Sequence, residues 1–155
     1  MTITETSADL SAARPVSADL YAEVQQFYAR QVQLLDAVRA EEFAATFAED
    51  GVFEHSPDSA PASGRAGIAA EVRDFNAKRF AKDPVQRRHW FNMLVVEEQP
   101  DGSLHTQFYA LVMMTRPGEL VPVIAPSCVV RDVLVREDGA LRTRRRKVSQ
   151  DRFSF

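Results

Sequence analysis

The sequence predicts an α+β fold in which three helices are followed by a long antiparallel meander that curves around them. Three observations carry this prediction. Apolar residues recur at helical spacing through the first 80 positions. Beyond Pro84 the pattern changes to extended, β-rich runs. Turn dipeptides at Asp101 and Gly102, Pro117 and Gly118, and Asp138 and Gly139 then divide that second half into four strands.

Residues 1–16 are small and polar and read as a flexible tail, and residues 17–155 form a single domain. Ser17 is placed to cap a helix over residues 18–38. Leu20, Val24, Phe27, Leu34 or Leu35, and Val38 give that helix a core-facing stripe. Tyr21, Tyr28, Val32 and Asp36 form a second stripe. It ends in a carboxylate at the helix C-terminus, where the backbone dipole disfavours negative charge. A short helix over residues 40–47 carries Phe43 and Phe47. A strand over residues 52–56 alternates Val52 and Glu54 with Phe53 and His55, and residues 57–64 form a Pro-, Ser- and Ala-rich loop. A third helix, over residues 65–80, offers Ile68, Val72, Phe75 and Phe80 for packing.

Residues 88–114 read as two long strands joined by a two-residue turn at Asp101 and Gly102. In that register His89 lies opposite Met114. His89, Phe91, Met93 and Val95 then share one face with Phe108, Ala110, Val112 and Met114. An imidazole at the edge of an apolar face serves either a structural hydrogen bond or proton transfer. The opposite face presents Trp90, Leu94, Tyr109, Leu111 and Met113, too apolar to leave wet, and predicts a homodimer through the outer sheet. A third strand over residues 121–135 and a last strand running to residue 155 complete the sheet.

Composition narrows the function. A net charge of −3 argues against nucleic acid as a partner. The single Cys128 excludes an internal disulfide, no apolar run approaches the roughly 18 residues of a membrane span, and the start of the chain has no signal-like segment, so a cytoplasmic location is expected. The basic run over residues 142–147 points charge to both faces of a strand, which reads as solvated charge and ion-pair partners rather than a phosphate-reading patch, with binding of an acidic substrate group by one of its arginines as the alternative. His55, His89 and His105 lack metal-ligand spacing, so no metal is expected. Ser127 lacks the Gly-flanked elbow of a nucleophile.

Several short motifs, in order, resemble the nuclear transport factor 2-like superfamily, and within it the polyketide cyclase (SnoaL)-like and scytalone dehydratase-like group. Leu35 and Asp36 followed by Arg39, Ala40, Glu41, Glu42 and Phe43 resemble that family's exit from the first helix. Phe47, Ala48, Glu49, Asp50, Gly51, Val52 and Phe53 resemble its strand entry, and Gly64, Arg65, Ala66, Gly67 and Ile68 its third-helix start. Arg88, His89, Trp90, Phe91 and Asn92 resemble its first long strand. Arg144, Arg145, Arg146, Lys147 and Val148, leading to Asp151, resemble its terminal strand.

The resemblance implies a cone-shaped, cystatin-like sheet around an apolar pocket, with an Asp and a His as a catalytic dyad at Asp36 and His89. His55 matches a further polar position, and Met114 stands where relatives carry a second histidine, so the dehydratase substrate itself is not implied. The expected pocket lining is His55, Tyr28, Phe91, Met93, Phe108, Val112, Met114 and Ser127. Such a dyad suits cofactor-free dehydration, cyclisation, isomerisation or epoxide opening on a hydrophobic, polyketide-like or aromatic substrate. Asp36 could equally cap the turn into the second helix. The alternative function is a non-catalytic ligand-binding protein, or an assembly subunit resembling the β subunit of ring-hydroxylating dioxygenases.

Overall fold

The computed structural model describes residues 15–155. The expected tail therefore lies, up to residue 14, outside the described residues. Val16 packs against the core. Helix α1 spans Ala18–Asp36, and its first turn is closed by the Ser17 hydroxyl, which accepts from the Leu20 amide at 3.1 Å. α2 (Ala40–Ala45), β1 (Phe47–Glu54), the two-residue β2 (Ala62–Ser63) and α3 (Gly64–Phe80) follow. The strands β3 (Gln86–Glu98), β4 (Leu104–Thr115), β5 (Val123–Glu137) and β6 (Ala140–Gln150) form the meander. The last strand stops at Gln150 instead of running to the end, because a 3-10 turn over Asp151–Phe153 breaks the ladder.

One six-stranded sheet results, ordered β2-β1-β6-β5-β4-β3, and all its pairings are antiparallel except β1 with β6. This α+β architecture is the curved sheet and helical layer that the sequence predicts. The helices cover one face. α1 packs on the long strands through Val24 and Tyr28, against Phe108, Val130 and Leu134. α2 and α3 close a second cluster around Phe43, Phe47, Phe53 and Ile68.

α1 stops two residues earlier than its periodicity suggests. Val38 adopts a left-handed φ of 55°, and the amides of Val38 and Arg39 turn back to the carbonyls of Leu35 and Leu34 at 3.0 Å. The left-handed conformation costs a β-branched residue about 1–2 kcal/mol, and packing of the Val38 side chain on the second cluster offsets it. Asp36 thereby becomes the final residue of the helix.

The hairpin between β3 and β4 differs from expectation in two ways. Pro100 has no N–H and cannot close a two-residue loop, so the closing pair moves back to Gln99, whose amide donates to the Ser103 carbonyl at 2.8 Å. Pro100, Asp101 and Gly102 form the loop, with only Gly102 at positive φ (83°). The Asp138 and Gly139 turn has no such obstacle. Both of its residues take positive φ, and Glu137 pairs directly with Ala140.

A β-bulge between Asn92 and Val95 then shifts the register again, with Met93 at φ 57°. His89 consequently pairs with Val112, and Arg87 takes the place opposite Met114. Beyond the bulge the faces exchange. Met93 is 66% exposed, whereas Leu94, expected on the outer face, packs against the core.

The basic run is solvated at Arg144 and Arg145, but Arg146 is 2% exposed. Its guanidinium reaches Asp132 through Nε at 3.0 Å and Nη2 at 2.7 Å, and Nη2 also donates to Gln31 Oε1 at 2.6 Å. Gln31 donates in turn to Thr46 and Thr143 at 2.8 and 3.0 Å. The rings of Tyr28, Phe47, Phe91 and Phe108 surround the cation at 5.7–5.9 Å. Removing one member of such a buried pair leaves a charge without compensation. Asp132→Ala is therefore expected to cost about 3–5 kcal/mol in a urea unfolding titration. Replacing Asp132 and Arg146 together by Leu and Met is expected to restore much of that loss, and an additive double variant would contradict the coupling.

Candidate active site

α1 ends at Asp36 just where β3 crosses it, so a helix terminus and a strand interior meet at the first candidate pair. His89 Nδ1 lies 2.5 Å from Asp36 Oδ1, and the His89 amide donates to both carboxylate oxygens at 3.3 and 3.2 Å. That amide supplies the favourable dipole that a helix C-terminus lacks. The side chains are 13% and 8% exposed. A carboxylate can only accept, so Nδ1 carries the proton and Nε2, without a partner among the described residues, is left for a ligand.

His89 forms part of the wall of a cavity of about 830 Å³ between the sheet and α3. That volume falls within the usual range for small-molecule sites. Phe91, Val112, Met114, His55 and Ser127 line the same cavity. Three expected residues stand elsewhere. Met93 is turned outward by the bulge. Phe108 is 1% exposed and supports the wall from behind, 4.5 Å from the Phe91 ring centroid. Tyr28 is 4% exposed and belongs to the Arg146 network, donating to Asp132 Oδ2 at 2.9 Å and lying 2.5 Å from Thr106 Oγ1. Burial, followed by the Asp132 charge, raises its phenol well above the ordinary range, so it stays protonated.

Three site residues escaped the sequence reading. Glu71 Oε1 lies 2.7 Å from His55 Nε2, making a second carboxylate and imidazole pair on the wall. Its signal is available in hindsight, since Glu71 lies on the same face of α3 as Ile68, Val72 and Phe75. Arg146 reaches the cavity from below. Arg87, 9% exposed, faces the cavity from β3, and desolvation lowers its pKa while the Asp36 charge acts against that shift.

Ser127 donates to Asp151, and no histidine joins them. Cys128, beside it on the wall, is 4% exposed, and burial pushes its thiol up to about 11. At pH 8 such a thiol holds at least about 100-fold less thiolate than an ordinary cysteine. Labelling of the native protein with a thiol reagent at pH 8 is expected to be slower than labelling in urea by at least that factor. Equal rates in the two states would show an open, ordinary cysteine.

No helix among the described residues is long and apolar enough to cross a membrane. The SnoaL-like domain profile matches residues 16–147. Among solved structures, ActVI-ORFA from Streptomyces coelicolor is 44% identical, with a TM-score of 0.81 over 86% of this chain and 98% of that one. Aln2 from a Streptomyces species is 39% identical, with a TM-score of 0.82 over 91% and 97%. A Catenulispora acidiphila protein in complex with S-DNPA is 47% identical, with a TM-score of 0.80 over 89% and 98%. No curated protein matches the chain.

Proposed function

The chain belongs to the SnoaL-like domain family, and from that premise we propose that it is a dehydratase, cyclase or isomerase acting by general acid-base catalysis on a hydrophobic polyketide-like or aromatic metabolite. The observation that carries this proposal is the Asp36 and His89 pair, whose imidazole lies on the wall of a cavity of about 830 Å³. Nε2 accepts a proton from an acidic C–H or O–H of the bound substrate. Asp36 holds the ring through Nδ1 and balances the imidazolium that forms. Return of that proton, to a leaving hydroxyl, to the atom left negatively charged once the ring has closed, or to the far end of a displaced double bond, completes dehydration, cyclisation or isomerisation. An assembly subunit needs a filled interior and a partner-facing patch, so the open cavity favours an enzyme over that alternative.

The bound molecule of the Catenulispora relative makes S-DNPA the first ligand to test, by calorimetric titration and by incubation with product analysis. With a substrate in hand, His89→Ala is expected to lower turnover by roughly 10²- to 10⁴-fold, the usual contribution of one acid-base group. Asp36→Asn is expected to give a loss of the same kind, non-additive with the first. Wild-type turnover by both folded variants would sink the dyad. Both proton-transfer groups are side chains, so activity is expected to survive exhaustive chelation, and restoration by one added metal would overturn the cofactor-free proposal.

We also propose a homodimer through the outer sheet face, where Trp90, Tyr109 and Leu111 are 63%, 56% and 41% exposed. Light scattering at micromolar concentration is expected to give twice the chain mass, and a monomer there would refute the interface.

A further inference from the structure

The cavity wall carries two imidazoles, and a carboxylate holds each of them. His89 is held by Asp36, and His55, directly after β1, by Glu71 of α3. The side chains of the second pair are 17% and 31% exposed, which leaves the ring partly screened from water and open to the cavity. Two aromatic neighbours fix its plane. The Phe53 ring lies 5.1 Å away at a shallow tilt, and the Phe75 ring meets it edge-on at 5.5 Å. A carboxylate can only accept, so His55 Nε2 carries a proton toward Glu71 Oε1 at 2.7 Å. Nδ1 has no hydrogen-bond partner among the described residues and is the nitrogen left for a ligand. The two carboxylates differ in their other contacts. Asp36 also accepts from the His89 amide, and the Arg87 charge acts on it, whereas Glu71 has no partner but His55 among the described residues. The Glu71 charge is thus available to balance an imidazolium at His55.

In a flat sheet the two rings would be roughly 19 Å apart, because four strand spacings separate β1 from β3. Curvature brings those edges together across α3. The Phe75 ring that touches His55 is also 5.4 Å from the central carbon of Arg87, two residues before His89 on β3. A molecule between these walls therefore meets one imidazole from each side. We propose that His55 is the second acid-base group of this site, the general acid to the base at His89, and that Glu71 positions it. His89 Nε2 takes a proton from a substrate carbon, and the C–H electrons form the new π bond. The oxygen that gains negative charge, a carbonyl on enolisation or a hydroxyl as it departs, takes the Nδ1 proton of the His55 imidazolium. One proton enters the protein and one leaves it, and exchange with water resets both rings. This role rests on the proposed proton-transfer function of the cavity.

The test uses 2-tetralone, an aromatic ketone whose C1 proton exchanges through its enol, so that a base at carbon and an acid at oxygen are both read without a known substrate. Exchange of that proton for deuterium in D2O is followed by NMR over a range of ketone concentrations, with the wild-type protein, H89A, H55Q and E71Q. The wild type is expected to exceed the buffer rate, and H89A to fall close to it. H55Q is expected to lower kcat by about 10²-fold, the low end for one acid-base group, with KM little changed. E71Q, which keeps a hydrogen bond to the ring but not the charge, is expected to lower kcat by a smaller factor at unchanged KM. Wild-type kcat in H55Q, or a change in KM alone, would overturn the acid role and leave His89 standing. Wild-type kcat in E71Q would overturn the pair. A loss in H55Q with none in H89A would make His55 the base and refute the division of roles. No exchange above buffer by the wild type would refute the proton-transfer function and this inference with it. If H55Q does not fold by circular dichroism, E71Q decides the question.

Discussion

The Asp132 and Arg146 ion pair is the interaction on which the rest of this structure depends. It joins β5 to β6 at the point where the two apolar clusters meet, and Gln31 and Tyr28 tie α1 to it from above. An apolar residue at one of the two positions would fill space but leave the charge of the other buried without compensation, at a cost of about 3–5 kcal/mol. The rings of Tyr28, Phe47, Phe91 and Phe108 complete the enclosure. The polar network gives the cavity a rigid floor, and a rigid floor is what allows an interior of this size to remain open without collapsing.

The walls above that floor are built from regular elements rather than loops. Asp36 is the last residue of a helix and His89 is in a strand paired on its far side by β4. The His89 backbone amide and ring both address the same carboxylate, so the pair is held by the chain as well as by the side chains. A pair fixed in this way is preorganised, with the carboxylate already in place beside the ring. His55 and Glu71 repeat the arrangement between β1's exit and α3, with Phe53 and Phe75 on either side of the ring at 5.1 and 5.5 Å.

Much of this was legible in the sequence, and the failures have physical causes. Helix positions, the four strands of the meander and the Asp36 and His89 pair follow from periodicity, turn residues and a family resemblance, whereas the two-residue β2 falls in a stretch that reads as loop. The two Asp-Gly dipeptides show where local signals stop. One forms a two-residue turn and the other does not, because the decision belongs to the missing N–H of Pro100 beside it. The bulge at Met93 has no glycine or proline to announce it, and its effect on Leu94 and Met93 could not be read from alternation. Arg146 looked like one charge in a solvated run, since nothing local distinguishes it from Arg144 and Arg145. Its burial is decided by Asp132, which pairs with it across the sheet. The parallel pairing of β1 with β6 is likewise a contact between segments far apart in the chain.

The bulge has a consequence for how this strand can change. Because it adds one residue to β3, it acts as a phase shift between the half that serves the core near the hairpin and the half that carries Arg87, His89 and Phe91. Loss of the extra residue would restore plain alternation, with Phe91 and Leu94 two positions apart and both halves still facing inward. The bulge is thus the one place in β3 where the chain can shorten by a residue and keep the imidazole and the guanidinium on the cavity side. Between Arg87 and Phe91 there is no such slack, because a one-residue insertion or deletion there puts neighbours of the site on opposite faces. Length is constrained most in that short stretch and least at the bulge beside it.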